Sequence, residues 1–437
     1  MLIQFSVENY RSFREEQTLS LVASNDDAHA SNLIECDKGL RLVKVASLYG
    51  ANASGKSNLI RAMADMRRFV LASATKMNLG ETIDFVSPFR LDATSRNEPS
   101  RFEITLLVDG VTFVYGFSAT RERVHDEWLH VRPSGGRFSK WLERTLDPAT
   151  SETSWAFRGP LKRDAKLLRE KTRDNGLVLS RAAELNVDAV ARLFLWFQKY
   201  FSDWDLSVPP VELVQFTAET ILDSEPFGSS VLSLMRDADL GISGLSVKEV
   251  PGRNFLDAVS NSVRERMAPV VQESFGGSAP GLLAVEAEHA MEEGDSVLFS
   301  LEDDESNGTQ RFFALAGPVL VGLKCGMFLV IDELECSIHP LLTRKLIELF
   351  QSEKLNTSGA QLVFATHDSS VMDSTLFRRD QVWLAEKRSN GATELFSLYD
   401  FDGESRPRNG AAFERNYLAG RYGAVPSFGP SLEDLEP

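Results

Sequence analysis

The chain has 437 residues, 43% hydrophobic and 25% charged, with a formal net charge of −16. Those proportions are ordinary for a globular protein of two or three domains, and the acidic balance argues against a protein that coats DNA, although screening over about 8 Å leaves room for a local basic groove. No run approaches the roughly 18 apolar residues of a membrane helix, and three cysteines without a C-x-x-C pair suit a reducing cytoplasm and argue against structural zinc.

Taken in chain order, the opening MLIQFSVENYRSF has neither a basic n-region nor an apolar h-region, so no signal peptide is expected. Residues 42–49 (LVKVASLY) read as a strand and 58–71 (NLIRAMADMRRFVL) as a helix. Between them lies GANASGKS, residues 50–57, a complete G-x-x-x-x-G-K-[ST] pattern in the strand–turn–helix frame that gives it meaning. The backbone N–H groups of such a turn converge on phosphate oxygens, and the helix N-terminus adds its positive dipole end. Lys56 supplies a point charge for the β- and γ-phosphates, and Ser57 a hydroxyl ligand for Mg²⁺.

Further along, 101–108 and 111–117 flank Asp109-Gly110, a strong hairpin signal. Strands are expected over 122–147, with a turn at 133–136. Residues 160–300 are expected to be mainly helical, and the aromatic run 193–201 (LFLWFQKYF) reads as a buried helix face rather than a stacking surface. No internal repeat or sustained heptad array is present, so long coiled-coil arms are not expected.

Residues 305–311 (ESNGTQR) open an amphipathic helix over 312–323. A small-polar, glycine-containing helix start shortly before an acidic strand is the layout of an ABC-type signature, in which Ser306 and Gly308 face a γ-phosphate held by a second protomer. An ordinary N-capped helix is the plainer alternative. The wholly apolar run 327–331 (MFLVI) fits a strand buried on both faces, and it ends in Asp332-Glu333. Carboxylates at the carboxyl end of a central strand stand where α/β sheets place ligands. Asp332 is expected to hold Mg²⁺, directly or through water, and Glu333 to act as general base on the attacking water. Residues 339–349 read as a helix with Pro340 in its first turn. The next buried strand, 361–366 (QLVFAT), ends in His367, placed to polarise the γ-phosphate or sense its loss. Asp368, Asp373 and Asp380 read as parts of the following loop rather than as the metal ligands of a self-contained nuclease.

Together GANASGKSN, ESNGTQR, IDELECSIHP, FATHD, RRDQVW and YLAGRYGAVP resemble one bacterial family, the AAA-type, ABC-related ATPases of the abortive-infection (AbiL/RloA-like) group, kin to the RecF, SMC and overcoming-lysogenization-defect (OLD) ATPases. The likeness runs from VENYRSF at 7–13 to Pro426 and is thinnest over about 120–300. It implies an α/β fold of the ABC-type P-loop NTPase class, with a mixed sheet, an N-terminal antiparallel β subdomain and a helical insertion lobe. It divides the chain into 1–119 and 301–400 as halves of the ATPase core, 120–300 as the hairpin and lobe, and 401–437 as a tail too short for an attached TOPRIM nuclease.

The implied nucleotide-binding set is Gly50, Asn52, Ser54, Gly55, Lys56, Ser57 and Asn58, with Ser306 and Gly308 as signature and Arg11 near the nucleotide. Ser57 and Asp332 are the implied Mg²⁺ ligands, and Lys56, Glu333 and His367 the catalytic set. The signature reads SNGTQ rather than LSGGQ, and no glutamine fills the Q-loop role. The implied function is an ATP-hydrolysing, cytoplasmic switch built on ATP-sandwich dimers. It would control a separate nuclease, TOPRIM-like or RloB-like, or a toxin effector in phage defence, and a phage-derived protein would trigger it. The alternative is a RecF-like DNA-repair ATPase that clamps DNA.

Overall fold

The computed structural model describes residues 1–206, 211–250, 283–292, 294–403, 406–407 and 410–426. The middle of the expected lobe, 251–282, and the end of the expected tail, 427–437, therefore lie outside the described residues. The chain divides into two compact units, a larger one of Leu2–Phe194 with the chain from Val363, and a smaller one of Leu195–Leu362 with Met1.

The larger unit contains a seven-stranded antiparallel sheet in the order Thr153–Phe157, Ser139–Leu146, Val124–Arg132, Val111–Ala119, Ser100–Val108, Leu2–Glu8 and Gln17–Ser20. Alternation makes one face of its centre apolar: Phe102, Ile104 and Leu106 on one strand and Phe113, Tyr115 and Phe117 on the next are all buried. The expected hairpin closes at Val108↔Val111, with Asp109 at φ 49° and Gly110 at φ 74°, the doubly left-handed turn that matches strand twist. The turn at 133–136 also forms, with Gly136 N–H donating to the Pro133 carbonyl at 2.9 Å. Helix Lys56–Ala72 lies on this apolar face, where Phe69 meets Phe117 edge-on at 5.2 Å.

The second sheet of this unit places Val45–Tyr49 between the end of strand Gln361–Ala365 and strand Val382–Lys387, with Thr393–Ser397 outermost. All five residues of Val45–Tyr49 are buried, and the strand runs parallel to Val382–Lys387. The strand expected over 42–49 is broken at Lys44. Its buried side chain turns away to donate to the Ser31 carbonyl at 2.8 Å, leaving Arg41–Val43 to pair separately with Leu33–Glu35.

In the smaller unit, Phe201–Asp205 runs parallel to Phe328–Asp332, with Asp205 opposite Asp332. Helix Pro340–Gln351 begins at Pro340 as expected, capped by His339 Nδ1, which accepts from Leu341 N–H at 3.2 Å. Helix Asn307–Cys325 is less amphipathic than its sequence suggests: Phe312 through Val319 are buried without a break. Pro318 inside it leaves the Ala314 carbonyl without its helical donor, and Thr217 Oγ1 supplies one at 3.2 Å. The same Thr217 Oγ1 accepts from Gly317 N–H at 3.2 Å, so helix Val211–Asp223 is seated on the defect.

Two expectations for 160–300 need correction. Helices predominate in the described chain as far as Asp237, interrupted by strand Phe201–Asp205, but Ile242–Glu249, Leu283–Ala290 and Ser296–Ser300 then form a three-stranded antiparallel sheet. The aromatic run 193–201 is not one helix face either. The α-helix ends at Leu195, a wider π turn spans Trp196–Tyr200, and strand geometry starts at Phe201.

Candidate functional site

The site is built outward from the loop that joins Val45–Tyr49 to helix Lys56–Ala72. Gly55 caps this 17-residue helix at φ 116°, Ala53 is left-handed at φ 60° and Gly50 sits at φ 148°. A Cβ on Gly50 would collide with the Ala385 carbonyl and lie 2.7 Å from Ser54 Oγ. One on Gly55 would collide with Thr393 and lie 2.9 Å from Ser12 Oγ. The loop is thus packed tightly from behind, while Asn52, Ala53 and Ser57 face solvent. The first helical turn carries no acidic residue and no side-chain cap, so nothing of that kind offsets the positive end of the helix dipole. Lys56 is buried and curls back over the loop, donating to the carbonyls of Gly50 at 2.8 Å and Ala51 at 3.2 Å. The loop's own residues bring an ammonium, hydroxyls and an amide but no carboxylate, so they suit an anionic phosphate chain.

Polar side chains from distant segments brace this loop. Ser12 Oγ accepts from Asn58 Nδ2 at 2.8 Å and lies 2.8 Å from Thr393 Oγ1, which itself donates to the Ser54 carbonyl at 2.6 Å. Arg11 precedes Ser12 in the same tight turn, at φ 50°. Its Nε donates to Tyr10 Oη at 3.0 Å, and that hydroxyl donates to Asp65 on the phosphate-loop helix at 2.6 Å. Burial raises the Asp65 carboxyl pKa, against the pull of Tyr10 and Arg68. Burial and the neighbouring carboxylate push the Tyr10 phenol well above its ordinary value. Ser12 and Thr393 carry no motif of their own.

His367 belongs to the same unit and is exposed. Thr366 N–H donates to the Leu48 carbonyl at 3.1 Å, so the chain reaches His367 from the strand next to the one that feeds the phosphate loop. The acidic residues after it have local partners. Asp368 accepts from Ser370 N–H and Oγ, Asp373 from Thr375, and Asp380 from Arg378 and Ser24. Among the described residues no cluster of His, Cys, Asp and Glu is arranged to hold a metal.

The smaller unit carries the other residues singled out by sequence. Asp332 ends its strand half-buried. Glu333 follows at φ 54°, a left-handed conformation uncommon for a residue with a Cβ. Its carbonyl accepts from Cys336 N–H at 2.8 Å, which folds the chain into a tight turn. Ser306 is the N-cap of its helix: Oγ accepts from Thr309 N–H at 3.1 Å and lies 2.9 Å from Thr309 Oγ1. A Cβ on Gly308 would meet the Ser337 carbonyl at 2.8 Å. The helix start at Ser306–Gly308 and the segment after Glu333 therefore approach closely, and glycine makes the approach feasible. Asp205, in register with Asp332 and exposed, is an acidic neighbour the sequence reading did not single out. The larger unit thus groups Arg11, residues 50–58 and His367, and the smaller groups Ser306, Gly308, Asp332 and Glu333.

Residues 45–373 match the family model described as "AAA domain, putative AbiEii toxin, Type IV TA system". Among solved structures the chain is similar to an SMC head bound to the C-winged helix domain of ScpA, at 12% identity over 91% of this chain and 97% of that one, with a TM-score of 0.46. It is also similar to the SMC head domain from Thermotoga maritima, at 12% identity over 91% and 98% with a TM-score of 0.39. A third likeness is to the recombination mediator RecF with ATP, at 14% identity over 90% and 97% with a TM-score of 0.30. Comparison with curated proteins gives no match. No helix among the described residues is long and apolar enough to cross a membrane. The family match takes in most of the chain, including the phosphate loop, the signature turn, the acidic strand end and His367, and the chain belongs to this AAA-domain family.

Proposed function

We propose that the protein binds and hydrolyses ATP as the dimeric switch subunit of an anti-phage, abortive-infection system and controls a separate effector of nuclease or toxin type. The phosphate loop carries this reading: a glycine-capped helix N-terminus, exposed residues at 52, 53 and 57, and a buried lysine already turned onto the loop. Residues 50–58 cradle the phosphates, with Asn52 reaching towards the γ-phosphate. Lys56 exchanges its two carbonyl partners for phosphate oxygens. Ser57 and Asp332 are the residues assigned to Mg²⁺, which when bound offsets charge on the phosphates. Glu333 takes a proton from the attacking water, and His367 responds to loss of the γ-phosphate.

In this reading residues 1–119 and 301–400 supply the two halves of the core, and 120–300 the insertion through which a partner is engaged. Ser306 and Gly308 act on the nucleotide of a second, two-fold-related copy, giving two equivalent sites in one isologous interface. ATP closes that interface and hydrolysis loosens it, which is a state change an effector can read.

The decisive experiment is calorimetric titration of ATP into wild-type and Lys56→Ala protein. Binding that disappears in the variant supports the assignment, and unchanged affinity refutes it. Turnover measured with and without DNA separates the readings further, because stimulation by DNA alone would favour the DNA-repair clamp over the effector switch.

A further inference from the structure

The segment after the strand pair Val382–Lys387 and Thr393–Ser397 returns to the phosphate loop. Helix Phe413–Leu418 and the turn that follows it lie beyond the residues that define the family match. Ala51 N–H donates to the Ala424 carbonyl at 2.8 Å, and Tyr417 Oη donates to that same carbonyl at 3.1 Å. Ala424 N–H in turn donates to Glu386 Oε1 at 2.9 Å. The geometry is not one a relaxed chain end adopts. Ala424 is left-handed at φ 56°, and a Cβ on Gly423 would lie 2.9 Å from Glu386 Oε1. Tyr417 and Tyr422 are buried, with Tyr417 against Tyr49 at 6.3 Å between ring centroids. Burial raises the Tyr417 phenol pKa, with the Gly50 backbone amide pulling the other way.

One peptide group is gripped from both ends. The Gly50–Ala51 amide gives its N–H to Ala424, and its carbonyl accepts from Lys56 Nζ at 2.8 Å. Because a peptide is planar, fixing the N–H direction fixes the carbonyl direction, and with it the resting place of the lysine ammonium. The same short helix reaches the loop after His367: Glu414 N–H donates to the Met372 carbonyl at 3.1 Å, and Ser369 Oγ donates to Glu414 at 3.3 Å.

We infer that residues 413–426 form a C-terminal clasp that positions the phosphate loop for nucleotide, with Tyr417 and Glu386 as its positioning residues, and that links the loop to the turn behind His367. This rests on the nucleotide-binding reading above and extends it to a part of the chain that carries no phosphate-binding motif.

The test measures ATP affinity of full-length wild-type, Tyr417→Phe, Glu386→Gln and Lys56→Ala protein at a temperature where each is folded. It is paired with hydrogen exchange on the wild type with and without ATP. The clasp predicts about fivefold weaker ATP binding by Tyr417→Phe, the loss of one hydrogen bond. It also predicts slowed exchange across 413–426 when ATP is bound, which a tail that merely packs would not show. Should a variant fail to fold, the wild-type exchange decides. Unchanged affinity in the folded variants, or no ATP-dependent protection of 413–426, overturns the clasp while the Lys56-dependent binding stands. Absence of ATP binding by the wild type removes both.

Discussion

Gly50→Ala isolates how tightly the phosphate loop is held from behind. At φ 148° the backbone is in a region that alanine rarely occupies, and the added Cβ collides with the Ala385 carbonyl and approaches Ser54 Oγ at 2.7 Å. The Ala385 carbonyl does not yield readily, since it is main chain of a strand residue paired with Leu395. Gly80 is the matched control in the same unit: it is also left-handed, at φ 79°, but a Cβ there meets nothing within 4 Å. Gly80→Ala should therefore cost only the left-handed penalty of about 1–2 kcal/mol. Gly50→Ala carries at least that penalty plus an overpacking cost of about 1–3 kcal/mol, so the expected difference between the two variants is about 1–3 kcal/mol. Urea unfolding followed by tryptophan fluorescence reads it as a lower midpoint at similar slope. Equal midpoints for the two variants would refute the tight packing behind the loop.

Three other outcomes are expected. Glu333→Gln should bind ATP like the wild type and lose about 10²–10⁴-fold in single-turnover hydrolysis, and wild-type turnover would remove Glu333 from the role of general base. Ser306→Arg should leave ATP binding nearly intact but abolish ATP-dependent dimers in sedimentation velocity, and mixing it with Lys56→Ala protein should restore no more than one composite site per heterodimer. Hydrolysis by Ser306→Arg alone, or by a strictly monomeric species, defeats the sandwich model. Asp26→Ala breaks a buried pair with Arg379, whose Nη2 lies 2.6 Å from the carboxylate, and should cost about 3–5 kcal/mol at neutral pH. Burial pushes the Asp26 pKa up, but hydrogen bonds from Arg379 and the Ala28 amide outweigh it, and the net value lies below the usual carboxylate range. A depressed folded-state pKa gives stability that is complete above the unfolded value of about 3.9 and is lost as pH falls through the folded one. Thermal melts down to acid pH should therefore show a steeper decline for wild type than for Asp26→Ala, and parallel curves would contradict the pairing.

What could be read from sequence was local. The phosphate loop announces itself because its strand, glycines and helix are contiguous, and helix Lys56–Ala72 differs from the expected span by only a few residues. The strand before Glu333 was legible because Phe328–Ile331 is apolar throughout, as a strand covered on both faces must be. Phe201–Asp205 was not, because the aromatic spacing just before it fits a helix and its partner strand lies beyond residue 327. Ile242–Glu249 is fully buried only at Ile242 and Ser296–Ser300 is largely exposed, so alternation gave little signal there, whereas the alternation of Leu283–Ala290, with Leu283, Val285 and Ala287 buried, was legible and missed. The clasp on Ala51 was invisible for a different reason. Its key acceptor is the Ala424 main-chain carbonyl, and every residue has one.

Strand Val45–Tyr49 has a consequence for how the molecule is made. Of its neighbours in the sheet, Gln361–Ala365 is synthesised as the smaller unit ends and Val382–Lys387 after that unit is complete. At about 5–20 residues per second a ribosome needs roughly tens of seconds to supply them. During that interval five residues that end up buried, four of them apolar or aromatic, and two open hydrogen-bonding edges have no native partner in the sheet. Such long-range pairing slows folding, and an unpaired apolar strand is prone to aggregate. Nascent chains of this protein should therefore depend on chaperones until residue 387 has emerged, and a premature stop inside the smaller unit should yield insoluble product rather than a folded N-terminal fragment.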